Sequence, residues 1–360
     1  MKKYKLSFVF ALINLFQFEF VDAQLRPAAA DSFLHFIQAN KDRSSLYMTR
    51  NDTIIAYLNE SQLMPLAGTM QILLAIEFAK QSGDAIIDKN NYVLLSELEK
   101  YYLPGTLDAS HLKWVDYVKK NNLVRNESVK LIDVARGMMM FNSMANSEYL
   151  LDLLGINNVK SNISLFSLKN HTDIYALPAS LLLFQNPKNI SDDKILKAIL
   201  KMSPVQYCKY ITDLHVQLKN NKAFKVDYRP QDLTLKMQQV WSSRLPASTT
   251  KDYLHLANIL NNRKFLNDSA YDVIEKVLEF AMENNAFRSV FKQYGVKGGN
   301  TPFALTHVIY FTTNTNIKME MAIFLDGLIP EESRQLQGWL DAFESQVIFD
   351  GEFRKKLNFQ

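Results

Sequence analysis

Between about residue 88 and residue 285, apolar positions recur with i, i+3, i+4 spacing. SVKLIDVARGMMMFN, SEYLLDLLG, DDKILKAILKM, TKDYLHLANILNN and DSAYDVIEKVLEFAMEN all carry it, several opening on Ser or Asp, and predict amphipathic helices. Upstream, AAADSFLHFIQANKD predicts another helix with an Asp31-Ser32 start. SLYMTRNDTIIAYLNE predicts a hairpin turning at Arg50-Asn51-Asp52. TMQILLAIEFAKQ is apolar nearly all round, the signature of a helix buried on every side. From Ala286 the period changes: SVFKQYGVKGGN, FALTHVIYFTTN and IKMEMAIFLDG read as three strands of an antiparallel meander. PEESRQLQGWLDAFESQV predicts a last helix with Pro330 in its first turn.

The order helix, hairpin, long helical insertion, three strands, helix predicts a mixed α/β (α+β) protein. Its hairpin and last three strands form a five-stranded antiparallel sheet, with the N- and C-terminal helices on one face and an all-helical lobe inserted. The expected division is 24–67 with 286–360 as sheet lobe and 68–285 as helical lobe. MKKYK, LSFVFALINLFQFEF and VDAQ form the three parts of a secretory leader covering 1–23. Asn14, Gln17 and Glu19 interrupt its apolar run, so no stable membrane span is expected once it is removed, and the expected location is secreted or periplasmic.

Composition narrows the classes. Hydrophobic residues make up 48% and charged residues 22%, ordinary for a folded soluble protein. The net charge is +4, from 41 basic and 37 acidic residues. That surplus is too small to point to nucleic acid, and no block of Lys and Arg interleaved with aromatics stands out. Cys208 is alone, which excludes an intrachain disulfide, and its apolar helical context reads as a small buried residue. His35, His111, His171, His215, His255 and His307 are scattered without metal-ligand spacing, so neither metal nor cofactor is expected. Seven N-x-S/T sequons occur, at Asn51, Asn59, Asn126, Asn162, Asn170, Asn189 and Asn267.

Three stretches carry candidate chemistry: PLAGTMQILLAIEFA, MMMFNSMANSEYLLDLLG and YGVKGGNTPFALTHVIYFTT. In order, spacing and context they resemble the segments in which penicillin-recognising serine hydrolases, the class A β-lactamases in particular, keep S-x-x-K, S-D-N and K-T-G. The resemblance covers nearly all of the chain after the leader. It implies a nucleophilic serine where this sequence has Gly68 and a lysine base where it has Gln71. It implies a proton-shuttling serine at Asn142 and a substrate-binding asparagine at Met144, with Ser143 one position out of register. Only Lys297-Gly298-Gly299 survives, at a strand end where the ammonium could attract a carboxylate and the glycines could let a ligand approach. The family's deacylating glutamate has no counterpart between Gly155 and Asn186, where Asp173 is the only acid and reads as a turn or helix-start residue.

Glycine cannot form an acyl-enzyme, and an amide is no base. The resemblance therefore implies a hydrolase homologue without family chemistry, whose cleft, lined by Lys297, Gly298, Gly299 and Thr69, holds a peptidoglycan-like peptide or a protein partner. The alternative is an active serine-hydrolase or β-lactamase-type enzyme using Thr69 or Ser143 as an unorthodox nucleophile. The segment 97–122 is a further unassigned element, a lid or an interface.

Overall fold

The computed structural model describes residues 27–104, 109–185, 190–221, 224 and 233–359. The leader read at 1–23 and the sequon at Asn189 lie outside the described residues. The chain enters through helix α1 (Pro27–Ala39) and the hairpin β1 (Ser44–Arg50) and β2 (Thr53–Leu58). Asn51 and Asp52 make the turn at positive φ, which short polar side chains tolerate. Strand β3 (Met64–Pro65) leads through a 3₁₀ turn, Ala67–Met70, into α2 (Gln71–Gly83). The helical lobe then runs through β4 (Tyr92–Leu94), α3 (Leu95–Glu99), α4 (Ala109–Lys120), β5 (Ser128–Lys130) and α5 (Leu131–Phe141). It continues through α6 (Met144–Leu154), α7 (Ile156–Leu165), α8 (Leu177–Leu181), α9 (Asp192–Lys201), α10 (Pro204–Asn220) and α11 (Leu235–Ser243). Next come β6 (Ala247–Ser248), α12 (Thr250–Asn262) and α13 (Asp268–Val277). Helix α14 (Asn285–Val290) feeds β7 (Phe291–Thr301), β8 (Ala304–Thr313) and β9 (Lys318–Leu325), and α15 (Pro330–Phe349) and α16 (Gly351–Lys355) close the fold.

The main sheet has the order β2-β1-β9-β8-β7, with every neighbouring pair antiparallel. Side chains alternate across it with period two. Ile309, Phe311, Met321 and Ile323 face α1 and α15, where the tilted rings of Phe33 and Phe343 meet with centroids 4.8 Å apart. Val308, Tyr310, Ala322 and Phe324 face the helical lobe and share its core with Leu73, Phe78 and Tyr253. This second apolar face fastens the two lobes together.

Two local expectations change. Ser289 and Val290 belong to α14, not to the strand, because the Asn284 side chain accepts from Ala286 N and starts a short helix there. Cys208, read as a buried residue, is half-buried on α10, and burial raises its thiol pKa. No described helix is long and apolar enough to cross a membrane.

Candidate functional site

The three candidate stretches converge where the 3₁₀ turn before α2 meets the end of α5 and the middle of β7. Gly68 lies in that turn, three residues before Gln71 begins the helix. It is packed backbone to backbone on β7: a Cβ on Gly68 would stand 2.5 Å from Asn142 Oδ1, 2.9 Å from Gly298 O and 3.0 Å from Gly299 Cα. The reverse contact is tighter, for a Cβ on Gly299 would fall 2.0 Å from Gly68 N and 2.6 Å from Gly68 Cα. Only residues without side chains permit this approach.

Lys297, the one family-like side chain of the third stretch, is enclosed in this structure. It is only 2% exposed, and its Nζ donates to Met138 O at 3.1 Å, to Met139 O at 3.0 Å and to Asn142 Oδ1. Three donors thus meet three acceptors. Two of these are carbonyls in the last turn of α5, which lack helical partners and carry the negative end of the helix dipole. Asn142 ends that helix in the left-handed conformation, φ 57°. Burial pushes the Lys297 ammonium well below the ordinary lysine range, and no described carboxylate forms an ion pair with it. The lysine thus joins β7 to α5 and is turned away from solvent.

Thr69, Gln71 and Ser143 are also enclosed, whereas Gly68, Asn142 and Met144 are partly exposed. Thr69 is fully buried, and its hydroxyl donates to Leu66 O at 2.6 Å. Gln71 is buried, and its Oε1 has no hydrogen-bond partner among the described residues. Met144 is half-buried against the lobe's core. Ser143 caps α6: its Oγ accepts from Asn146 N at 3.2 Å and lies 2.9 Å from His111 Nδ1. A serine and an imidazole at that distance resemble a nucleophile with its base. Both are buried, however, so the pair is closed to a substrate. His111 escapes sequence reasoning because it is 32 positions from Ser143 with no motif between them. Asp173 pairs with Lys160 at 2.7 Å and accepts from Ile174 N at 3.0 Å, as a turn residue does.

The crowding at Gly68 yields a testable expectation. Gly68→Ser should lower stability by about 1–3 kcal/mol, since the Asn142 amide can swing away but the Gly298 carbonyl is backbone. With or without Gln71→Lys, it should acquire no penicilloyl mass. Rapid acylation of the double variant, read by intact mass, would mean that the turn separates from β7 readily.

Comparison with solved structures identifies the architecture. A β-lactamase from Chitinophaga pinensis superposes with TM-score 0.55 at 13% identity, covering 90% of this chain and 99% of its own. The TLA-1 extended-spectrum β-lactamase gives 0.53 at 12%, covering 89% and 98%. PBP-A gives 0.52 at 11%, covering 88% and 96%. A mutant of PBP-A is also known as an acyl-enzyme complex with penicillin G. No family model matches the sequence, and no curated protein matches it. The protein has the class A β-lactamase-like fold, and at these identities the likeness is one of fold.

Proposed function

We propose that this chain is an exported, catalytically silent protein of β-lactamase-like fold that works by binding or scaffolding. One observation carries the reading: the position of the family nucleophile is a glycine whose backbone rests on Gly298 and Gly299, so the protein's own atoms fill the space an acylated side chain would need. The enclosure of Thr69 and of Ser143 argues against either as a replacement nucleophile. The converging motif segments act as a structural joint between the lobes, tied by Lys297. A peptidoglycan-like peptide is the ligand chemistry suggested by the fold, but entering at the family's position would require parting Gly68 from Gly299. A partner bound on the outer surface needs no such opening. Export rests on the leader pattern in residues 1–23.

The test is direct. Purified mature protein should hydrolyse a chromogenic cephalosporin no faster than buffer and show no added mass after incubation with penicillin G. A stoichiometric adduct on any residue overturns the silent-enzyme reading.

A further inference from the structure

The nearly even overall charge conceals a local imbalance. From Asp192 to Asn220, the span of the consecutive helices α9 and α10, the sequence carries five lysines against three acids, Asp192, Asp193 and Asp213. These two helices contribute +2 of the whole chain's +4. Both helices bury one side, through Ile195, Leu196 and Ile199 on α9 and Tyr207, Ile211 and Leu218 on α10. Their other sides are open, and Lys194, Lys197, Lys201 and Lys209 are exposed without an ion pair among the described residues. The local acids do not balance them: Asp193 pairs with Lys236 at 2.9 Å, which leaves Asp192 and Asp213.

Large apolar side chains stand among these lysines. Leu200 is 57% exposed, Val205 79%, Tyr210 53% and Val216 47%. Val205, Lys209, Thr212 and Val216 follow i, i+4, i+7, i+11 spacing and form one stripe along α10. The stripe thus combines exposed valines with a lysine and a threonine. Unpaired lysines flanking exposed apolar side chains suit the boundary of an anionic bilayer, where apolar groups enter the acyl region and ammonium groups meet phosphates. A soluble polyanion would use the lysines but gain nothing from Leu200 and Val205.

We infer that the exposed face of α9 and α10 is a docking surface for an anionic lipid membrane, on which the protein lies peripherally. At about 1 kcal/mol for each lysine near such a surface, each contributes roughly fivefold in partitioning. The experiment is vesicle co-sedimentation of the purified mature chain, using mixed phosphatidylglycerol–phosphatidylcholine vesicles and pure phosphatidylcholine vesicles. Binding is expected only to the anionic vesicles, weakening as salt rises. Lys197→Glu with Lys201→Glu and Lys209→Glu should weaken it by about a hundredfold or more, from three lost contributions. Leu200→Asp with Val205→Asp should weaken it about as strongly while all lysines stay. These positions are on the surface, so unchanged thermal unfolding of each variant confirms that the fold is intact. Absence of vesicle binding, or unchanged binding by the lysine variant, overturns the inference. So does binding indifferent to the Leu200 and Val205 changes and competed away by duplex DNA, which would assign the face to soluble polyanions.

Discussion

Gly299→Ala is expected to destabilise the protein by about 3 kcal/mol or more, because the added methyl group meets backbone. The added Cβ would lie 2.0 Å from Gly68 N, 2.6 Å from Gly68 Cα and 3.0 Å from Thr69 N. All three are backbone atoms of the turn that starts α2, so no side-chain rotation relieves the overlap. Either β7 or the turn must retreat, and the retreat strains the Lys297 contacts to α5. Two other glycines calibrate the result. At Gly298 the nearest atom is His307 Cδ2 at 2.8 Å, a side-chain atom that can move, so Gly298→Ala should cost less. Gly338 sits exposed within α15 with nothing within 4 Å of its Cβ position, and Gly338→Ala should gain up to about 1 kcal/mol of helix propensity. Urea unfolding of the three variants is the measurement. A Gly299→Ala variant as stable as the parent would show that the two backbones are not in contact, and the closed joint would fall with it.

The second large effect concerns His215. It projects from α10 toward α6, with Nδ1 2.7 Å from Glu148 Oε1 and Nε2 3.6 Å from Asp152 Oδ1. Asp152 also receives Tyr101 Oη at 2.9 Å and Lys219 Nζ at 2.6 Å. Burial disfavours charge on the imidazole, but the two carboxylates outweigh it and raise the His215 pKa from 6.5 to about 9. Hydrogen bonding holds Asp152 well below the ordinary carboxylate range, while burial pushes Glu148 up. A histidine pKa raised on folding stabilises the native state fully below about 6.5, and this contribution is lost as pH rises through about 9. The shift corresponds to about 3 kcal/mol at most. His215→Gln keeps a hydrogen-bonding group but removes the charge. The stability difference between parent and variant should therefore shrink between pH 7 and pH 10. His215→Leu leaves Glu148 buried without its partner and should cost about 3–5 kcal/mol near neutral pH. Denaturant titrations across that pH range decide it. Parallel pH curves for parent and His215→Gln would show that the imidazole is neutral in the folded protein.

Much of the fold can be read from the chain because it rests on short-range patterns. The 3.6-residue period marks α5, α6, α12 and α13, the alternation after Ala286 marks β7 to β9, and Arg50-Asn51-Asp52 forecasts the hairpin. The absence of a hydroxyl at Gly68 and of an amine at Gln71 is likewise a property of sequence alone. The fate of the surviving motif is not. Lys297-Gly298-Gly299 reads equally as an open ligand contact, and only the tertiary structure buries the lysine against carbonyls 158 and 159 positions away. The same holds for Gly68 against Gly299, for His111 against Ser143 and for His215 against Glu148. Local propensity depends on a residue and its near neighbours, whereas burial, pairing and the closure of a cleft depend on how distant segments meet. That meeting is decided by the packing of the two lobes across the sheet.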